Sequence, residues 1–86
     1  MKNLKSLYIG YYFNLNIDFI SEGDLPLLQT INFSFSFNKS IEPLKNCSKL
    51  YEISFDYQSK FNQNIDSIIE CKSLESIKFP SHIKVN

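Results

Sequence analysis

The chain has 86 residues and no net charge, with nine Lys, no Arg and nine Asp plus Glu. That balance argues against a nucleic-acid binder, which needs a basic footprint to displace counterions. No apolar run approaches the ~20 residues of a membrane helix, and two cysteines are too few for a disulfide-stapled scaffold.

At 43% hydrophobic residues, the composition is enough for one small core. We therefore read residues 1–86 as a single domain, either whole or part of a longer array. The opening "MKNLKSLYIGYYFNL" has Lys2 and Lys5 ahead of an apolar stretch, as a signal peptide does. It lacks a small-residue cleavage site, and the repeat pattern uses the same residues as structure, so a cytoplasmic chain is expected.

The first predicted element is "LKSLYI" at 4–9, followed by "LQTINF" at 28–33, "LYEISF" at 50–55 and "LESIKF" at 74–79. All fit Leu-x-x-[Leu/Ile]-x-[Ile/Phe], whose alternation predicts a strand with one buried face. After each of the first three strands comes Phe-Asn-x-x-Ile: "FNLNI" at 13–17, "FNKSI" at 37–41 and "FNQNI" at 61–65. The Phe-Asn copies step by 24, but the strands step by 24, 22 and 24. Two insertions explain the mismatch. "DYQSK", Asp56 to Lys60, carries two extra residues, and so does the first return segment, "DFISEGDLPL". The underlying unit is about 22 residues, a period typical of stacked repeats.

"LYIGYYFNLNI" and "INFSFSFNKSI" resemble FNIP-type leucine-rich repeats, named for a Phe-Asn-Ile-Pro-like signature. Asn16, Ser40 and Asn64 stand at the Pro place. "CKSLESIKFPSHI" is similar to the related BspA-like leucine-rich repeats. The resemblance covers about three and a half units and implies an α/β solenoid: a short, right-handed coil. It would have a four-stranded parallel β-sheet and short helical or irregular convex segments.

In such a coil, equivalent residues form columns. Leu7, Ile31, Ile53 and Ile77 would make one buried column, Ile9, Phe33, Phe55 and Phe79 the next, and Phe13, Phe37 and Phe61 a third. Asn14, Asn38 and Asn62 would form a buried ladder satisfying backbone groups at the turn; an exposed ligand-contacting row is the alternative. Ile20, Leu44 and Ile68 permit short helical turns, with "IDSIIECKS" the best candidate and "IEPLKNCSK" a second, Pro43 near its start.

No constellation points to catalysis. Cys47 and Cys71 are read as small buried apolar residues, with Gly23 at the corresponding place of the first unit if that unit's extra residues fall later. A bridge between the two cysteines is the alternative, and a metal site lacks further ligands. His82, the only histidine, has no spacing that makes a nucleophile–base pair. Asp18, Glu42 and Asp66 suit helix or turn starts. No enzyme activity, cofactor or metal is expected.

The resemblance implies a protein partner on the concave sheet. The available positions there are Tyr8, Asn32, Ser54 and Lys78, with Tyr11, Phe35 and Tyr57 along the edge. An exposed aromatic column offers large contact area at low entropic cost. The alternative is that the rings merely stack and cover the edge. The insertion at Tyr57 to Lys60 would tune the rim. A second possibility is structural: a subunit that associates through its open repeat ends.

Overall fold

The computed structural model describes residues 3–18, 20, 25–66, 68 and 71–81. Four strands, β1 (Ser6–Ile9), β2 (Thr30–Phe33), β3 (Glu52–Phe55) and β4 (Ser76–Lys78), form one parallel sheet in the order β1-β2-β3-β4. Leu7 lies opposite Ile31, Ile31 opposite Ile53, and Ile53 opposite Ile77, so the register steps by 24, 22 and 24 as the sequence predicts. β4 stops at Lys78, leaving Phe79 beyond the strand and half-buried.

The expected columns are present, and their burial is graded. Ile31, Ile53, Phe33, Phe37 and Phe61 are buried, whereas Leu7, Ile77 and Phe13 at the two sheet edges are half-buried. The inner members have a neighbour on each side; of the end members, Ile9 and Phe61 are nonetheless buried. Rings dominate the centre. Phe33 stacks on Phe37 at 4.2 Å and Phe55 on Phe61 at 4.3 Å, and Phe33 and Phe55 are 5.2 Å apart across the sheet. Each buried side chain here contributes about 1.5–3 kcal/mol.

A repeated hydrogen-bond scheme closes each unit. Ile20 N–H donates to Ile17 O, Leu44 to Ile41 and Ile68 to Ile65. Just upstream, Asp18 N–H donates to Asn16 Oδ1, Glu42 N–H to Ser40 Oγ and Asp66 N–H to Asn64 Oδ1. These side-chain turns start each return path without the Pro of the FNIP-type signature. In the second unit the path forms the 3-10 helix Glu42–Asn46, with Pro43 in its first turn, as "IEPLKNCSK" predicts. "IDSIIECKS" falls partly outside the described residues.

Three expectations need correction. Asn14, Asn38 and Asn62 do form a ladder: Asn38 N–H donates to Asn14 Oδ1 and Asn62 N–H to Asn38 Oδ1, each at 2.8 Å. The ladder is exposed at both ends and half-buried at Asn38, with the Oδ1 atoms of Asn14 and Asn38 each turned to the backbone N–H of the next unit's Asn. Gly23 lies outside the described residues, and its assigned place belongs to Leu25. Leu28 N–H donates to Leu25 O, as Leu50 does to Cys47 and Leu74 to Cys71. Leu25 is buried like both cysteines, so the two extra positions fall between Ile20 and Leu25. The third correction concerns Tyr57 and Phe35, at the turn that leaves each strand.

Candidate interaction surface

Period-two alternation sends Leu7, Ile9 and their register partners into the core and leaves the other residues on an open face. Its rows run Ser6–Thr30–Glu52–Ser76 and Tyr8–Asn32–Ser54–Lys78. Tyr8, 63% exposed, stands over β1. Asn32 Nδ2 donates to Ser54 Oγ at 2.6 Å, while Asn32 Oδ1 is buried without a donor. The Ser6 and Thr30 hydroxyls bond to each other. Lys78 Nζ sits 3.9 Å from Glu52 Oε1 at the β4 side, a loose pair of little worth. Between these side chains runs a trough of about 350 Å³ lined by Ser6, Tyr8, Thr30, Asn32, Glu52 and Ser54, with Leu7 and Ile31 at its floor.

The aromatic edge is only partly the expected column. Tyr11 and Phe35 stack with centroids 5.1 Å apart and planes at 11°. Phe35 is half-buried, not exposed, since Tyr11 covers one side and Lys60 Nζ lies 5.1 Å from its centroid. Tyr57 does not extend the stack; its ring is 74% exposed. The backbone explains this. Tyr11, Phe35 and Tyr57 carbonyls hold equivalent positions, accepting from Ser36, Lys60 and Ser81 N–H. Ser36 follows Phe33 by three positions and Lys60 follows Phe55 by five, so the two extra residues lie between Tyr57 and Lys60. Beyond them, Lys60 Nζ lies over the Phe35 ring while Tyr57 stands clear of it. Ser59 is tucked inside, its Oγ accepting from Phe61 N–H at 3.2 Å.

Sequence reasoning missed Tyr12 and Leu15. Tyr12 is 87% exposed and meets Tyr11 edge-on at 4.9 Å; Leu15 is also exposed. Both lie in or beside the tight turn closed by Phe13 N–H to Gly10 O, where the strand alternation that sorts core from surface no longer applies. With Tyr8 and Tyr11 they put four exposed apolar side chains on β1 and the turn that leaves it, while Leu27, Tyr51 and Tyr57 are exposed elsewhere.

Cys47 and Cys71 are free, buried and stacked, with Cys71 Sγ 3.9 Å from Cys47 O. Burial, reinforced by Cys71, pushes the Cys47 thiol from 9.0 up to about 11, so it is a poor nucleophile. His82 lies outside the described residues. Among the described residues no three His, Cys, Asp or Glu are grouped to hold a metal ion, and no helix is long and apolar enough to cross a membrane. Comparison with family models, curated proteins and solved structures finds no match for this chain.

Proposed function

We propose that the chain is a short, right-handed leucine-rich-repeat solenoid that binds a protein partner through the open, concave face of its sheet. The solenoid reading is supported by the parallel register that follows the sequence period and by the turn bonds that recur in every unit. The observation that carries the binding reading is the exposed cluster of Tyr8, Tyr11, Tyr12 and Leu15 beside a polar trough. Aromatics flanked by hydrogen-bonding groups have the composition of an interface centre and its rim. The competing reading, in which Tyr11, Phe35 and Tyr57 only stack and cover the edge, is supported by the Tyr11–Phe35 stack and not by Tyr57, whose ring is exposed.

A photo-crosslinking residue placed at Tyr12 should trap a protein that the same residue at Lys45, on the return side, does not trap. With that partner purified, Tyr11→Ser with Tyr12→Ser should weaken binding at least about ten-fold, the size expected of an aromatic hot spot. The melting transition should be retained. Equal crosslinking at both sites, or unchanged affinity, would remove the reading.

A second reading, assembly by end-to-end stacking of copies, is favoured by one feature. Leu7 and Phe13 at the β1 edge and Ile77 at the β4 edge are half-buried core residues, and the ladder presents Asn14 N–H at one end and Asn62 Oδ1 at the other. A one-chain mass by sedimentation at high concentration would dismiss it.

A further inference from the structure

The trough has an acceptor and a charge but no cation on its lining. Glu52 is the one ionisable acid there, half-exposed, and its Lys78 contact is made at 3.9 Å from the far side. Asn32 Oδ1 is buried with no donor, while Ser54 takes the other end of the carboxamide. An orphaned acceptor of this kind is the costliest polar group on the face, and it marks a position where a donor is wanted. Tyr8, the register partner of Asn32 on β1, presents an exposed ring beside Asn32 and lines the same trough as Glu52, which lies on β3. A carboxylate, a carbonyl oxygen and a π face together match one side chain above others. Guanidinium is planar, carries only donors, keeps its charge, and stacks on aromatic rings, whereas an ammonium is a point donor with a tighter hydration shell. The chain contains no Arg of its own that could fill the trough.

We propose that the Tyr8–Asn32–Glu52 trough receives an arginine side chain from the protein partner. The guanidinium donates to Asn32 Oδ1 and to the Glu52 carboxylate while its plane lies against the Tyr8 ring, which swings aside to admit it. The inference rests on the reading of this face as a docking surface and names the chemistry that the face selects.

The test uses the whole 86-residue chain, isotope-labelled for NMR, titrated with N-acetyl-arginine amide. Saturable shifts are expected at the Asn32 side-chain amide, Ser54 and the Tyr8 ring. N-acetyl-lysine amide should bind several-fold more weakly, and the neutral isostere N-acetyl-citrulline amide should produce no saturable shift. Glu52→Gln should weaken the arginine probe roughly five-fold or more, as loss of a charge-assisted bond does. Tyr8→Ser should weaken it too, with dispersed spectra showing that both variants fold.

Three results overturn the inference. Citrulline could match arginine, which removes the role of charge. N-acetyl-glutamate amide could shift the Asn32 amide instead, which means that the site wants an acceptor. Or no probe could saturate. If crosslinking and the Tyr11/Tyr12 variant still define a partner while the arginine probe fails, only this inference falls and the docking surface stands.

Discussion

The turn that leaves a strand and the turn that feeds the next one each absorb two extra residues, at different places in the chain. Before β2, the extra positions fall between Ile20 and Leu25, and Leu25 still reaches the buried place that Cys47 and Cys71 hold in later units. After β3, the extra residues fall between Tyr57 and Lys60, and the surface changes: Tyr57 is left unstacked, Ser59 is buried and Lys60 caps Phe35. The difference comes from where the register is set. Feeding turns are fixed backwards from the strand by Leu28, Leu50 and Leu74 donating three residues upstream, so extra length upstream leaves the column intact. Leaving turns are pinned on both sides, by the strand and by the Phe column, so extra length must show at the rim.

The Phe column is what both sides of a leaving turn share, and removing its central ring should do the most damage. Phe37 is fully buried against Phe33, Phe13 and Phe61. Phe37→Ala should cost about 3–5 kcal/mol in urea unfolding. A cost near that of a surface change would mean that the column does not pin the turn.

Leu25 tests the feeding side. If it stands in the cysteine column, Leu25→Ala should cost about 2–5 kcal/mol, well above the ~0.5 kcal/mol of an exposed site. A neutral result would break the equivalence and return the place to residues upstream.

The same column gives stability a dependence on pH. Cys47 keeps its proton in the folded state up to about 11, from 9.0 in the open chain, through burial first and Cys71 second. The folded pKa is raised, so this stabilisation is whole below pH 9 and is lost as pH climbs through 9 toward 11. Two units correspond to roughly 2–3 kcal/mol. Lys and Tyr titrate in the same window, so the measurement is the difference in slope between the parent chain and Cys47→Ala, which should be shallower. Equal slopes would place Cys47 in contact with water.

The four strands and their register were legible because Leu-x-x-[Leu/Ile]-x-[Ile/Phe] alternates strictly and its spacing counts residues between pinned points. The row Tyr8–Asn32–Ser54–Lys78 followed from the same alternation. What alternation cannot carry is the state of a turn. Tyr11, Phe35 and Tyr57 occupy the same place by count, yet only Tyr11 and Phe35 stack, and Lys60 lies over Phe35. Tyr12 sits at a turn tip, outside any period. Gly23 meets the cysteine place only if the first unit's extra residues follow it, whereas the chain sets that register backward from Leu28, at Leu25. The orphaned Asn32 Oδ1 depends on side-chain orientation, which no spacing encodes.

The smallest effect isolates the leaving turn of the third unit. Lys60→Met keeps the aliphatic stem and removes the charge over Phe35, so it should cost only about 0.5–1 kcal/mol, the worth of an exposed cation–π contact. Deleting Gln58 and Ser59 goes further, because it shortens Phe55 to Phe61 from six positions to the four that separate Phe33 from Phe37. Tyr57 should then close on Phe35, and its ring protons should show the upfield shift of a stacked pair. Ser59 leaves with its bond to Phe61 N–H, which opposes the gain, so the net stability change should be within about 1 kcal/mol. If the deletion leaves Tyr57 as exposed as before, the insertion is not what separates the third turn from the first two, and Lys60 alone displaces the ring.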